Sequence, residues 1–493
     1  MENKLERKYG LFTAICMVVG TVIGSGVFYK AQAVLEKTGG NMTLGILSWI
    51  ITGALMIICS AMFAVMATKY EKVSGVVDYA EATCGSGYAY GLAWFMVNVY
   101  YPAMTGVLAW VSARYFGEII GWGAADPEVM TLAALFLVGN YALNAFSPKL
   151  AGKFQVSATV IKLIPICLMA VVGVIVGSVK GTLPENFATI VDTSKGGMNG
   201  LFGGIVATVF AYEGWIVATS INAELKNPKK NLPIALVIGA VIVVTAYVLY
   251  FVGVAGGAST SVLIANGAPT AFTSIFGNVG GKFLQVCIVI SCLGTLNGLM
   301  VGATRGMYAI AARGQGPKSK MFNQVDETTN MTTNSSIWGL LVCCLWMVFF
   351  YGANLAGGTH YVEVQEATAT TIMTETGKYL EPVTKNSWFG LFNFDSSELP
   401  IVTIYGMYIP MFIMWMKKEK GEGAFKRFIL PILSIIACAF MVFAAVYAHG
   451  ITPYLAAKEE GKFVFPVLFY LILFTVIMIA GSFFYKKGKN TKA

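Results

Sequence analysis

Two short stretches hold the residues whose types and spacing suggest chemistry. GTVIGSG, residues 20–26, sets Gly20, Gly24 and Gly26 in an apolar run, and VFAYEGW, residues 209–215, sets Glu213 and Gly214 in another. Both lie in segments apolar enough to cross a bilayer. In hydrocarbon an unpaired backbone N–H or C=O is costly, so a helix broken there must face protein or a wet cavity. Unwinding at Gly24, Ser25 and Gly26 leaves a half-helix whose first N–H groups and positive dipole end make a ready anion site. At the second break the carbonyls of Phe210, Ala211 and Tyr212 lose their helical donors and can accept from a cation. Donors beside acceptors at bonding distance suit a zwitterion such as an amino acid. For the glycines alone, close helix packing is the other reading, because Gly20 and Gly24 form a G-x-x-x-G pair.

Two charges lie in the same apolar surroundings. Lys162 falls eight residues into its apolar run, about 12 Å from the inner end at about 1.5 Å per residue, and a lysine near mid-membrane costs on the order of 3 kcal/mol on insertion scales. It therefore either has a compensating role or reaches back to the interface. Glu213 can hold a proton, pair with Lys162 across a cavity, attract a basic substrate, or face water in an inner vestibule. Weaker candidates for site lining are Asn98, Tyr100 and Tyr101, which also read as packing or belt residues. Thr295 and Asn297 read equally well as helix-to-helix glue.

The elements that must position these residues are apolar helices. Of 493 residues 56% are apolar and 12% charged, about half the charged share of a soluble globule. Runs long enough to span fall at 11–34, 43–67, 88–118, 129–147, 154–179, 198–222, 232–257, 271–311, 336–353, 399–416, 428–449 and 463–485. The third and eighth are long enough to require tilting or projection. The expectation is an all-α polytopic membrane protein with twelve transmembrane helices and one transport domain, 11–485. It is flanked by cytoplasmic ends 1–10 and 486–493.

The net charge of +9 is a topology signal. With the termini and every second loop on one face, that face holds 23 of the 34 basic residues, the positive-inside pattern of a multi-pass plasma-membrane protein with both termini cytoplasmic. Nucleic acid is thereby excluded as a partner, and the lipid bilayer is the expected one. Lys4, Arg7 and Lys8 resemble a signal-peptide start, but the following apolar run is too long and lacks a small-residue cleavage site. Nine cysteines fall almost wholly inside the runs and read as small packing residues rather than a disulfide set or a metal cluster. Only His360 and His449 are available as histidines, and no H-E-x-x-H pair, P-loop lysine or dinucleotide fingerprint occurs. No metal, cofactor or enzymatic activity is expected. Transport should be secondary, without ATP.

The breaks, in runs one and six, correspond if runs 1–5 and 6–10 are copies of a five-helix unit, about 11–180 and 198–416. Because five is odd, the copies are inverted, the arrangement that places a transporter's site between paired broken helices. VVGTVIGSGVFYKAQAVLEKTGG (18–40), FAYEGWIVATSINAELKNPKKNLP (210–233) and SCLGTLNGLMVGATRGMYAIAARGQGP (291–317) resemble the first, sixth and eighth helix signatures of the amino acid, polyamine and organocation superfamily of permeases. Within it, they are most similar to the L-type amino acid transporter and serine/threonine exchanger branch.

The resemblance implies a LeuT-like 5+5 inverted repeat. It implies that Gly24, Ser25 and Gly26 bind a substrate carboxylate through N–H groups, and that carbonyls of Val22, Ile23, Phe210, Ala211 and Glu213 receive the amino group. It also implies that Phe210 closes over substrate from the outer side, and that Lys162 stands where sodium-coupled relatives hold an ion. Sodium independence follows as an expectation. Three features depart from the family. KVSGVVDY (72–79) lacks a proline and a second glycine, the extracytoplasmic loop 354–398 is long and polar, and no cysteine follows the third helix to join a partner subunit. The reading is an amino acid permease or exchanger working by alternating access. Its rivals are a polyamine or cationic amino acid antiporter and a non-transporting amino acid sensor.

Overall fold

In the computed structural model the described residues are 10–70, 75–123, 126–146, 148–215, 225–326, 331–364, 372–373, 379–390, 393–459 and 461–486. Twelve apolar helical spans run through them, where the sequence places them. Span 1 is split into 1a (Leu11–Val22) and 1b (Gly26–Lys37). Spans 2 to 5 are Met42–Lys69, Ser86–Ile120, Pro127–Phe146 and Lys153–Lys180. Span 6 is helical over Gly197–Val209 and then enters a turn; the expected continuation at 216–222 lies outside the described residues. Spans 7 to 12 are Pro228–Ala255, Ala268–Ala312, Thr333–Leu355, Leu399–Lys418, Phe425–Glu459 and Pro466–Ser482. Outside the interruptions in spans 1, 6 and 8, each is rich in Leu, Ile, Val, Ala and Phe with few charges and closes its backbone hydrogen bonds internally, as a lipid-exposed segment must. An even number of spans puts residues 10 and 486 on one face, here the terminal face. The described residues of 354–398 lie on the opposite, or loop, face.

Span 8 contains a break that its run length does not show, and the helix after the break is still longer than a bilayer requires. Gly277 has φ 73° and ψ 175° inside the run, a backbone conformation that costs glycine little and other residues more, and it turns the first nine residues away from the rest. The long loop also differs from expectation in containing β-structure. Strands β1 (Gly358–Val364), β2 (Ile372–Met373) and β3 (Tyr379–Lys385) make an antiparallel sheet of order β1-β3-β2, with Gly358 opposite Lys385 and Ile372 opposite Leu380.

The packing repeats itself. Span 1a lies on span 7 as span 6 lies on span 2, span 3 lies on span 9 as span 8 lies on span 4, and spans 3 and 8 pack on each other. Exchanging spans 1–5 for 6–10 leaves this pattern unchanged, so the two five-helix sets are copies of opposite orientation. Spans 11 and 12 stand outside it, span 11 against spans 2 and 10 and span 12 against span 3.

Glycines fix how closely spans 5 and 7 approach. A Cβ on Gly253 would lie 1.9 Å from the Met169 carbonyl oxygen, one on Gly256 2.2 Å from that of Gly173, and one on Gly177 2.3 Å from Gly256 Cα. Here backbone meets backbone, and no side chain can turn aside. Overpacking ordinarily costs about 1–3 kcal/mol, occasionally more. Gly253→Ala should therefore lower the thermal unfolding temperature of the purified protein by several degrees, while Gly139→Ala, whose added methyl meets nothing within 4 Å, should leave it unchanged.

Candidate functional site

Span 1 opens where the sequence places the break. Ile23 leaves the helix with ψ 106°, Ser25 stands as N-cap of span 1b, and the N–H groups of Phe28 and Tyr29 return to the Ser25 carbonyl at 3.1 and 3.2 Å. The first N–H groups of span 1b, those of Gly26 and Val27, are thereby left pointing out of the helix end. Span 6 ends at Val209, and residues 210–214 form a turn in which Gly214 has φ 106°. The two breaks touch. A Cβ on Gly26 would fall 2.5 Å from Ala211 Cα, and one on Gly24 would fall 3.2 Å from Thr295 Oγ1. The glycines thus unwind the helix and also admit its neighbours.

The backbone groups released at the breaks find particular partners. Lys162, 5% exposed, stands at a turn between helical segments Pro148–Ile161 and Leu163–Leu168, and its Nζ donates to the Gly20 carbonyl at 2.6 Å. That carbonyl belongs to the last turn of span 1a, which carries the helix's negative dipole end, where a cation is favoured. The Ser25 N–H donates to Thr295 Oγ1 at 3.3 Å. Tyr247, from span 7, places its hydroxyl 3.1 Å from the Val22 carbonyl oxygen and 3.0 Å from that of Ala211, linking both breaks. Its ring is held edge-on by Trp49 at 5.5 Å and lies against Tyr212 at 5.2 Å.

A cavity of about 640 Å³ lies between the breaks. Its lining includes Val22, Ile23, Gly24, Ser25, Gly26 and Thr295; Phe210, Ala211, Glu213 and Gly214; and Lys162. Span 3 adds Met96, Tyr100, Tyr101 and Met104, from a π-helical turn, Met96–Tyr100, and the helix after it. Toward the terminal face the walls are Thr13, Cys16, Met17, Gln155 and Thr159. Toward the loop face Phe210, 5% exposed, is packed edge-on against Tyr29 at 6.3 Å. Among the described residues, Lys162 and Glu213 are the charged members of the lining. The Glu213 carboxyl sits beside the Tyr100 hydroxyl and the Gly214 N–H. Its Oε2 and the Ser25 hydroxyl are buried and have no hydrogen-bond partner of normal geometry among the described residues, the Ser25 hydroxyl lying beside the Cys292 thiol.

Two candidate residues lie elsewhere. Asn98 accepts from Trp338 Nε1 at 3.0 Å, its carbonyl accepts from Trp346 Nε1 at 2.9 Å, and its own amide returns to the Trp94 carbonyl. It fastens span 9 to span 3. Asn297 accepts from Asn144 at 2.8 Å and donates to Gln155 Oε1 at 3.1 Å, joining spans 4, 5 and 8. Of the polar candidates in span 8, Thr295 reaches the site and Asn297 serves as glue. Among the alternatives for Glu213, pairing with Lys162 is not the arrangement seen, since Lys162 binds Gly20. Sequence reasoning missed Tyr247 because a tyrosine within IVVTAYVLYF looks like any packed membrane aromatic.

Two half-helix ends facing each other across one cavity, in an inverted repeat of apolar spans, define a membrane transport protein with a central site. Residues 9–478 match the amino acid permease family, and the chain belongs to it. It is similar to the serine/threonine exchanger SteT of Bacillus subtilis (strain 168), 33% identical over 329 residues, which is 66% of this chain and 72% of that protein. Similarity to the human b(0,+)-type amino acid transporter 1 is 23% over 489 residues, covering 98% and 90%. With the human cystine/glutamate transporter it is 26% over 322 residues, covering 64% of this chain and 63% of that protein. Among solved structures, MhsT in complex with L-phenylalanine aligns with 89% of this chain and all of that one at a TM-score of 0.48 and 14% identity.

Removing the Tyr247 hydroxyl should take away the one donor that the Val22 and Ala211 carbonyls share, at about 1–3 kcal/mol, while its aromatic packing persists. Tyr247→Phe should therefore unfold a few degrees below the wild-type protein and, with the two breaks no longer linked, bind its amino acid on the order of tenfold more weakly in calorimetry, at about 1.4 kcal/mol per decade. Unchanged affinity would make Tyr247 a packing residue only.

Proposed function

We propose that the protein is a sodium-independent amino acid exchanger of the plasma membrane, working by alternating access around the cavity between its broken helices. The N–H groups of Gly26 and Val27 and the Ser25 hydroxyl bind the substrate carboxylate. The carbonyls of Ile23 and Phe210, with those of Val22 and Ala211 that Tyr247 already orients, receive the ammonium. The observation that carries this reading is the Lys162 ammonium 2.6 Å from the Gly20 carbonyl. A fixed cation occupies the end of span 1a, so the break is electrostatically complete without a bound ion. The basic residues gathered on the terminal face support a cytoplasmic location for it, and the cavity then opens inward in this structure.

A second reading has its own observation. The Glu213 Oε2 atom has no partner in a lining whose other charge is already engaged. A substrate bearing a second ammonium would satisfy it, which makes a cationic amino acid the competing substrate class. Competition of a labelled neutral amino acid by lysine and by serine separates the two readings.

Proteoliposomes without sodium provide the functional test. Uptake of labelled amino acid should require unlabelled amino acid inside and should be indifferent to added sodium. Lys162→Ala removes the donor that the Gly20 carbonyl has at the end of span 1a, so exchange should fall at least about tenfold, from about 1–3 kcal/mol of lost satisfaction. Sodium-driven flux into empty vesicles would overturn the exchanger reading.

A further inference from the structure

Span 10 ends at Lys418 and span 11 begins at Phe425, and the segment 417–427 that joins them carries five basic residues against two acids. Both acids are engaged by the end of span 2. Glu419 accepts from the Tyr70 hydroxyl at 2.6 Å through Oε1, and its Oε2 lies 3.0 Å from Lys69 Nζ. Glu422 Oε1 lies 3.2 Å from the same ammonium. Lys418 turns the same way, donating to the Ala82 carbonyl at 3.1 Å. Lys417, Lys420 and Lys426 are left exposed, and they pair with no carboxylate among the described residues. Arg427 donates through Nε to the Met416 carbonyl at 3.1 Å and lies over the Phe428 ring, 4.6 Å from its centroid.

Beside these charges stand exposed aromatics. Phe425 is 58% exposed and Phe428 42%, at the head of an exposed apolar stripe that continues along span 11 through Ile429, Ile432, Leu433 and Ile436. Spacings of three and four keep those residues on one face of the helix. The opposite face, with Leu430, Ser434, Ala437 and Cys438, is buried against spans 2 and 10, so the stripe faces lipid. The apolar run 428–449 is about 33 Å long at about 1.5 Å per residue, which matches one hydrocarbon thickness. Phe425, Lys426 and Arg427 therefore stand at the headgroup level of the terminal face. We propose that the turn between spans 10 and 11 is a docking surface for anionic phospholipid of the leaflet on that face. Lys417, Lys420, Lys426 and Arg427 meet the headgroup charge, and Phe425 and Phe428 meet the upper acyl chains.

Basic residues elsewhere on the terminal face lack one half of this combination. Arg313 is held by Asp78 at 2.6 Å and Glu81 at 3.2 Å. Lys226, Lys229 and Lys230 are exposed at the start of span 7, but no aromatic residue occurs from 216 to 246. Each lysine or arginine near an anionic surface favours it by about fivefold, an effect that fades beyond about 10 Å at about 0.1 M salt. Because the same turn carries Glu419 and Glu422 to Lys69, a lipid seated there also holds the ends of spans 2, 10 and 11 together. The inference does not depend on which substrate the cavity takes.

The test is thermal unfolding of the full-length protein in neutral detergent, titrated with dioleoyl phosphatidylglycerol or dioleoyl phosphatidylcholine. Phosphatidylglycerol should raise the unfolding temperature by several degrees at concentrations where phosphatidylcholine raises it little, and high salt should shrink the difference. Lys417→Gln, Lys420→Gln and Lys426→Gln together should increase the phosphatidylglycerol needed for half the shift at least about tenfold. Lys226→Gln, Lys229→Gln and Lys230→Gln together, which remove the same charge from the same face, should leave it near the wild-type value. Inorganic phosphate, which has no acyl chains, should give no shift. Equal responses to the two lipids, or a response untouched by the first triple substitution, would overturn the proposal. So would an equal loss in the second triple variant, which would reduce the effect to overall charge, or a shift reproduced by phosphate. Should the first triple variant fail to fold, Lys426→Gln alone decides: about a fivefold weaker response is expected, and an unchanged one overturns the surface.

Discussion

Backbone polar groups freed inside a membrane must be given partners, and the centre of this protein is organised by that requirement. Ending span 1a at Val22 releases carbonyls that no longer have a helical donor. Gly20 takes the Lys162 ammonium, and Val22 shares the Tyr247 hydroxyl with Ala211 of the second break. The Ser25 N–H takes Thr295. Once these are matched, the start of span 1b and the end of span 6 keep unassigned groups facing the cavity, along with Glu213 Oε2 and the Ser25 hydroxyl. A ligand that carries both an acid and an amine completes the set.

Holding the two breaks in contact depends on residues with little or no side chain. Gly26 lets Ala211 approach where no Cβ would fit, and the Gly173, Gly177, Gly253 and Gly256 mesh brings span 7, with Tyr247, firmly against span 5, with Lys162. The two side chains that satisfy the breaks are thus presented by one rigid pair of helices, while spans 1b and 6 are tied to span 10 by Lys30 and Glu398. Tight backbone contact is indifferent to which side of the membrane is open, whereas an ion pair has a made and a broken form. A fold that alternates needs both kinds of contact, and here they occupy different helices.

Much of this was legible in the residues. Apolar run lengths gave all twelve spans, and glycines in runs one and six marked both breaks, because in lipid such sequence has few other uses. Lys162 was conspicuous for the same reason. What periodicity and composition do not encode is which polar group meets which across hundreds of residues. Nothing in IVVTAYVLYF separates Tyr247 from a packing tyrosine, and Lys30 beside the aromatic Tyr29 reads as a helix-end lysine until span 10 delivers Glu398 to it. Asn98 and Asn297 erred in the other direction: they are polar residues at plausible positions whose amides are consumed by neighbouring helices. Gly277 was hidden because a break that merges two helices leaves the apolar run unbroken.

The central claim, that Lys162 completes the end of span 1a so the site needs substrate but no ion, is most directly tested by a structure of the protein with a bound amino acid in saturating sodium. The account predicts the substrate carboxylate against the N–H groups of Gly26 and Val27, with Lys162 Nζ still on the Gly20 carbonyl. Lys162 displaced, with a sodium ion coordinated by the Gly20 carbonyl and Thr295, or substrate bound away from both breaks, would contradict it.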